Sequence, residues 1–265
     1  MSFARVNGGV VHYLDEGPRE GPALVFINAL GSDLRIWDEV ARTLSKDFRI
    51  VRYDKRGHGL SEAGPDRYDM ADYARDLSAL LDRLAVERAA IVGLSIGGLI
   101  AQELYRQRPS LFGALVLSDT AAKIGSNESW DARIADIERG GIEAIADSIL
   151  ERWFTADFRA RRPDELVGWR TMLTRTPKQG YLAACGALKR ADLRPYAGAI
   201  EAATLCLVGE EDGSTPVALV RETAGLIRGA RFESIAGAGH VPNIERPDAF
   251  AALAAEHAER AAAAR

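Results

Sequence analysis

At 265 residues, 47% apolar and 27% charged, the chain is long enough to bury a full core as one domain with an insertion. Its net charge of -4 comes without a basic run or a basic helix stripe, which argues against a nucleic-acid partner. The longest uncharged apolar stretch, 89–102, is too short to span a bilayer, no signal peptide leads the chain, and the isolated Cys185 and Cys206 sit in apolar surroundings as reduced thiols; a cytoplasmic protein without a membrane anchor or disulfide is expected.

Short apolar runs predict strands at 3–6, 10–14, 24–27, 50–53, 90–93, 115–118, 205–208 and 232–235. Helical patterns separate most of the later ones, for instance over 73–84. This alternation predicts an α/β fold, a mostly parallel eight-stranded sheet with helices on both faces. The interval between Ser118 and Leu205 is too long for one crossover. Within it Ile142, Ile145, Ile149 and Trp153 recur on one helical face, and similar patterns surround Trp130, Leu173 and Leu182. The expected organisation is a core of 1–120 and 196–265, with a helical cap of 121–195 inserted after the sixth strand. There is no internal repeat, and only the alanine-rich tail after Ala258 is low in complexity. Nothing in the sequence specifies an oligomeric state.

One turn carries the chemistry. The buried-strand pattern ending at Val92 breaks at Gly93-Leu94-Ser95-Ile96-Gly97 and passes straight into a helical pattern with Leu99, Ile100 and Leu104. A sharp strand-to-helix turn is how a serine hydroxyl becomes an exposed nucleophile, and the flanking glycines remove the clashes such a turn creates. The alternative, a plain Gly-Ser turn, is disfavoured by that context. A hydroxyl still needs a base. His12 lies in a strand pattern, His58 precedes the serine, and His257 falls among helical alanines. His240 alone comes late in a loop, Ala236-Gly237-Ala238-Gly239-His240, after the last strand.

The orienting acid is expected at the tip of the strand 205–208, where Glu210-Glu211-Asp212 follows. Asp212 is the first candidate because a short carboxylate can hold one imidazole tautomer, and the order Ser95, Asp212, His240 is that of one serine-hydrolase class. Asp119, at the tip of the strand 115–118, and Glu210 or Glu211 are its rivals. The loop after the strand 24–27, Asn28-Ala29-Leu30-Gly31-Ser32, is the expected oxyanion segment. The backbone amides of Leu30 and Ile96 are its implied donors.

These motifs resemble the α/β-hydrolase superfamily and, more closely, the 3-oxoadipate enol-lactonase family of aromatic-acid catabolism. The oxyanion segment from Asn28 to Asp38 is similar to that family's, including Asn28-Ala29 where the superfamily usually has His-Gly. Asp54-Lys55-Arg56-Gly57-His58-Gly59-Leu60-Ser61 resembles the superfamily's D-x-R-G-x-G-x-S turn, read as architectural, with His58 structural. Further matches are 120–125, 152–155, 179–181 and 209–216. Asp119 departs from the amide expected there. The resemblance implies hydrolysis of 3-oxoadipate enol-lactone through an acyl-enzyme, with no metal or organic cofactor. That substrate carries a carboxylate, so the cap should supply a cation. Arg133 and Lys123 are the first candidates, with Trp130 and Trp153 as further substrate-binding residues; the cap also contributes Trp169, and cap packing is the alternative for each tryptophan. Alternatives within the fold are a broad carboxylesterase, a carbon-carbon bond hydrolase or a peroxidase-like activity; outside enzymes, a small-molecule receptor.

Overall fold

The computed structural model describes residues 1–64 and 67–263, and the last two residues of the expected core segment 196–265 lie outside it. The strands are β1 (Ser2–Val6), β2 (Gly9–Glu16), β3 (Ala23–Ile27), β4 (Arg49–Tyr53), β5 (Ala89–Leu94), β6 (Phe112–Ser118), β7 (Thr204–Gly209) and β8 (Arg231–Ile235). They form one eight-stranded sheet in the order β1-β2-β4-β3-β5-β6-β7-β8. Only β2 runs antiparallel to its neighbours; every pair from β4 onward is parallel. β5 and β7 are buried along their whole length, as strands covered on both faces must be, and this is why they read as unbroken apolar runs.

The covering helices are α1 (Asp38–Leu44), α2 (Met70–Arg83) and α3 (Ile96–Gln107) in the first half of the chain. Between β6 and β7 follow α4 (Asn127–Gly140), α5 (Glu143–Trp153), α6 (Ala156–Arg161), α7 (Pro163–Thr174), α8 (Lys178–Arg190) and the short α9 (Arg194–Ala197). The chain then adds α10 (Val217–Leu226), the short α11 (Pro242–Glu245) and α12 (Pro247–Ala263). α3 packs on β5 and α2, whereas α12 packs on β6 and α1. No helix among the described residues is long and apolar enough to cross a membrane.

The insertion is built as an amphipathic layer. α4 opens with Ser126 as its cap, the hydroxyl accepting the Ser129 N–H at 3.2 Å, and the predicted face of α5 is buried at Ile145, Ile149 and Trp153. Its two ends meet. The Leu193 N–H donates to Ala122 O at 2.8 Å, so the chain leaves the sheet beside β6 and returns beside β7 through one junction.

Strand register then decides where chemistry can sit. Ile27 pairs with Gly93, Leu94 with Ser118, Ser118 with Leu207, and Gly209 with Ile235, so the C-terminal ends of β3, β5, β6, β7 and β8 form one edge. In open parallel sheets, ligands collect at that edge. Ser95, Asp119, Asp212 and His240 all lie in the loops that leave it.

Candidate active site

Ser95 sits between β5 and α3 at φ 57 and ψ -119, a region an L-residue enters only under constraint. The constraint is hydrogen bonding on both sides: Ser95 N donates to Ser118 O at 3.0 Å, and Ser95 O accepts the Gly98 N–H at 2.9 Å and the Thr120 hydroxyl at 2.6 Å. The turn also forces backbone contact. A Cβ at Gly97 would lie 2.3 Å from Ile27 O, and one at Gly93 would lie 2.4 Å from Gly97 O. Gly97→Ala must therefore push α3 off β3, and we expect a loss of about 1–3 kcal/mol of stability with a marked fall in kcat. Chemical denaturation paired with steady-state kinetics checks this; an unchanged midpoint would show that the approach can relax.

His240 and Asp212 form a buried polar pair. His240 Nδ1 lies 2.9 Å from Asp212 Oδ2 and 3.0 Å from Oδ1, with both residues buried. Asp212 also accepts the Ser214 N–H at 2.7 Å, the Thr215 N–H at 3.0 Å and the Thr215 hydroxyl at 2.6 Å. Burial drives its carboxyl upward, but His240 and these donors outweigh burial and hold it below the usual range. An ionised carboxylate against Nδ1 selects the tautomer that leaves Nε2 free to accept a proton.

The rival acids separate. Asp119, at φ 47 and fully buried, lies against Asp212 but holds two donors of its own: Oδ1 accepts the Gly209 N–H at 2.8 Å and Oδ2 the Ser118 hydroxyl at 2.5 Å. Burial, with the Asp212 charge alongside, raises its carboxyl well above the ordinary range. Glu210 is exposed and accepts the Ser234 hydroxyl at 3.0 Å, and Glu211 is exposed. Asp119, Asp212 and His240 each bring one donor atom to within 4.8 Å of the others, the only such cluster among the described residues, but two of the three already bind each other.

Ser95 and His240 line a common cavity of about 210 Å³ with Leu30, Trp130, Arg133 and Arg152. Among the described residues Ser95 Oγ and the His240 ring share no hydrogen bond, a contact that is often long before substrate enters. The Leu30 N–H finds no acceptor among the described residues, and Ile96, as the first residue of α3, has no intrahelical acceptor for its N–H. Trp153 also lines the cavity. Lys123 is not on its wall and lies near Asp192 instead, while Trp169 packs at the edge of the core.

Arg152, which opens the matched segment 152–155 but is assigned no role from the sequence, also lines the cavity. Its guanidinium and that of Arg133 face the same space, and neither forms a salt bridge among the described residues. Burial, then the charge of Arg133, lowers the Arg152 pKa, so the two cations repel each other across the cavity wall. Arg133 lies 4.9 Å over the Trp130 ring, and its proximity to the Tyr181 hydroxyl fixes it from the other side. The remaining histidines are occupied: His12 Nδ1 bonds Asp54 at 2.8 Å, His257 Nε2 bonds Ala203 O at 3.0 Å, and buried His58 has its pKa driven well down by burial.

A family model described as the alpha/beta hydrolase family matches residues 24–253. The chain belongs to the alpha/beta hydrolase family. Among these hydrolases it is 33% identical to 3-oxoadipate enol-lactonase 2 of Acinetobacter baylyi, over 91% of this chain and 90% of the relative. It is 32% identical to the pimeloyl-[acyl-carrier protein] methyl ester esterase of Chromobacterium violaceum, over 91% of this chain and 95% of the relative. The crystal structure of the enol-lactonase from Burkholderia xenovorans LB400 superposes with a TM-score of 0.93 at 40% identity, covering 97% of this chain and 99% of that one.

Proposed function

We propose that the protein hydrolyses 3-oxoadipate enol-lactone to 3-oxoadipate with Ser95 as nucleophile, His240 as base and Asp212 as the acid that orients it. The observation that carries the reading is the Arg133 and Arg152 pair, in no salt bridge among the described residues, on the wall of the cavity that also holds Ser95 and His240. A carboxylate-bearing lactone fits such a cavity, whereas a neutral ester would leave two repelling cations unpaired. Likeness to two enol-lactonases over nine-tenths of the chain or more supports the same substrate.

In this mechanism His240 Nε2 takes the Ser95 proton as Oγ attacks the lactone carbonyl, and the Leu30 and Ile96 amides hold the tetrahedral oxyanion. Collapse breaks the ring C–O bond, and the proton held on His240 Nε2 passes to the departing oxygen, giving the enol and a neutral imidazole. The enol relaxes to the ketone, which makes it a good leaving group. Water deprotonated by His240 then cleaves the acyl-enzyme and restores the serine. The segment 121–195 acts as the cap that closes the site and selects the acyl group, and the two buried thiols fit a cytoplasmic setting.

Steady-state kinetics on the enol-lactone beside a panel of neutral aryl esters tests the proposal. A kcat/KM no higher for the lactone than for the esters would favour a general carboxylesterase. Arg133→Met and Arg152→Met should each raise KM for the lactone by about ten- to a hundredfold while leaving a neutral ester nearly unchanged. If both substrates suffer equally, the arginines support the cap and do not read charge.

A further inference from the structure

Beneath the loop that carries Leu30 lies a cation that the mechanism has not used. Lys55, at the x position of the turn after β4, is fully buried and does not line the cavity. Its Nζ donates to Ala29 O at 2.6 Å and to Ser32 O at 3.4 Å. Ala29 O also accepts the Ser32 hydroxyl at 2.9 Å and the Ser32 N–H at 3.3 Å. Ala29 C=O and Leu30 N–H are the two ends of one peptide group. Density drawn toward the carbonyl oxygen by an ammonium leaves the amide nitrogen, through peptide resonance, and makes the N–H a stronger donor.

We propose that Lys55 is a positioning residue for the hydrolysis: its ammonium fixes and polarises the Ala29–Leu30 peptide so that the Leu30 N–H holds the developing oxyanion. This rests on the reading of Leu30 as an oxyanion donor given above. Three ionisable groups face Lys55. Asp33 and Asp54 favour its charged form, and the ammonium in turn disfavours charge on His58. Burial outweighs the two carboxylates and brings Lys55 down to about 7, so the charge is lost within the working range of a hydrolase. The neutral amine keeps N–H groups for Ala29 O, so geometry survives while polarisation does not. The sign follows: protonated Lys55 is the active form, and kcat falls as pH rises through its titration.

The test uses the intact protein with Lys55→Gln and Lys55→Met. Removing a whole oxyanion donor typically costs about 10²–10³ in kcat, and weakening one should cost about tenfold, with KM within about twofold. A trifluoromethyl ketone that adds to Ser95 gives a hemiketal whose ionisation can be followed by ¹⁹F NMR. In the wild-type protein the hemiketal should ionise well below its value in water, and in both variants about one pH unit higher than in wild type. A wild-type adduct that does not form, or whose ionisation is not depressed, overturns the oxyanion-hole reading itself. A depression equal in wild type and folded variants, or an unchanged kcat in them, overturns the role of Lys55 alone. If neither variant folds, a wild-type kcat flat across the Lys55 titration overturns it as well.

Discussion

Ser95→Ala is expected to lower kcat for the enol-lactone by about 10⁴- to 10⁶-fold with KM nearly unchanged. The substitution removes one oxygen that accepts and donates nothing among the described residues, and leaves the turn held by Ser95 N, Ser95 O and the glycine contacts. The thermal midpoint should therefore stay within a few degrees of wild type. What survives, about 10³–10⁴ over the uncatalysed reaction, belongs to the oxyanion donors and to binding. Single-turnover assays, with mass spectrometry for an acyl adduct on the wild-type protein, give the measurement. Activity within tenfold of wild type would remove Ser95 from the reaction.

The second large effect separates two neighbouring carboxyls. Asp212→Asn should cut kcat by about 10⁴-fold, because the amide can present N–H where His240 Nδ1 needs an acceptor, and the ring then turns its proton toward the serine. The carboxamide oxygen still suits the Ser214 and Thr215 donors, so folding is preserved. Asp119→Asn should be mild, within about tenfold. Burial already keeps that carboxyl toward its neutral form, and an amide oxygen can still accept from Gly209 N. Measuring kcat for both variants on one substrate decides the assignment. A severe Asp119 variant beside a mild Asp212 variant would transfer the orienting role to Asp119.

The sheet was legible because parallel strands buried on both faces are unbroken apolar runs; all eight predicted intervals fall within the observed strands. Ser95 was legible because the strained turn demands small neighbours, and Gly93 and Gly97 stand where a Cβ would strike backbone. Arg152 was not. Trp153 stood out by its apolar stripe along α5, but facing the cavity with Arg133 depends on how α4 and α5 lie across each other, and no local pattern encodes that. Lys123 failed for the matching reason: closeness in sequence to the start of the insertion does not put a side chain on the cavity wall. Lys55 and Asp54 belong to a turn that reads as architecture. Asp54 binds Leu34 N at 2.7 Å, Leu60 N at 2.9 Å and His12 Nδ1 at 2.8 Å, joining segments that periodicity treats as unrelated.

The Ala122–Leu193 bond bears on how the insertion could be exchanged. The segment departs and comes back through one narrow neck, but it is also tied to the core elsewhere, the Thr155 hydroxyl donating to Glu245 at 2.7 Å and the Tyr68 hydroxyl to Gly180 O at 3.1 Å. Glu245 also accepts the Gly239 N–H at 2.6 Å, next to His240, so exchanging the helix that Thr155 caps would reach the loop of that histidine. A chimaera joined at that neck should therefore keep a stable sheet only where those ties are carried over with the segment, which thermal denaturation of the chimaera would check.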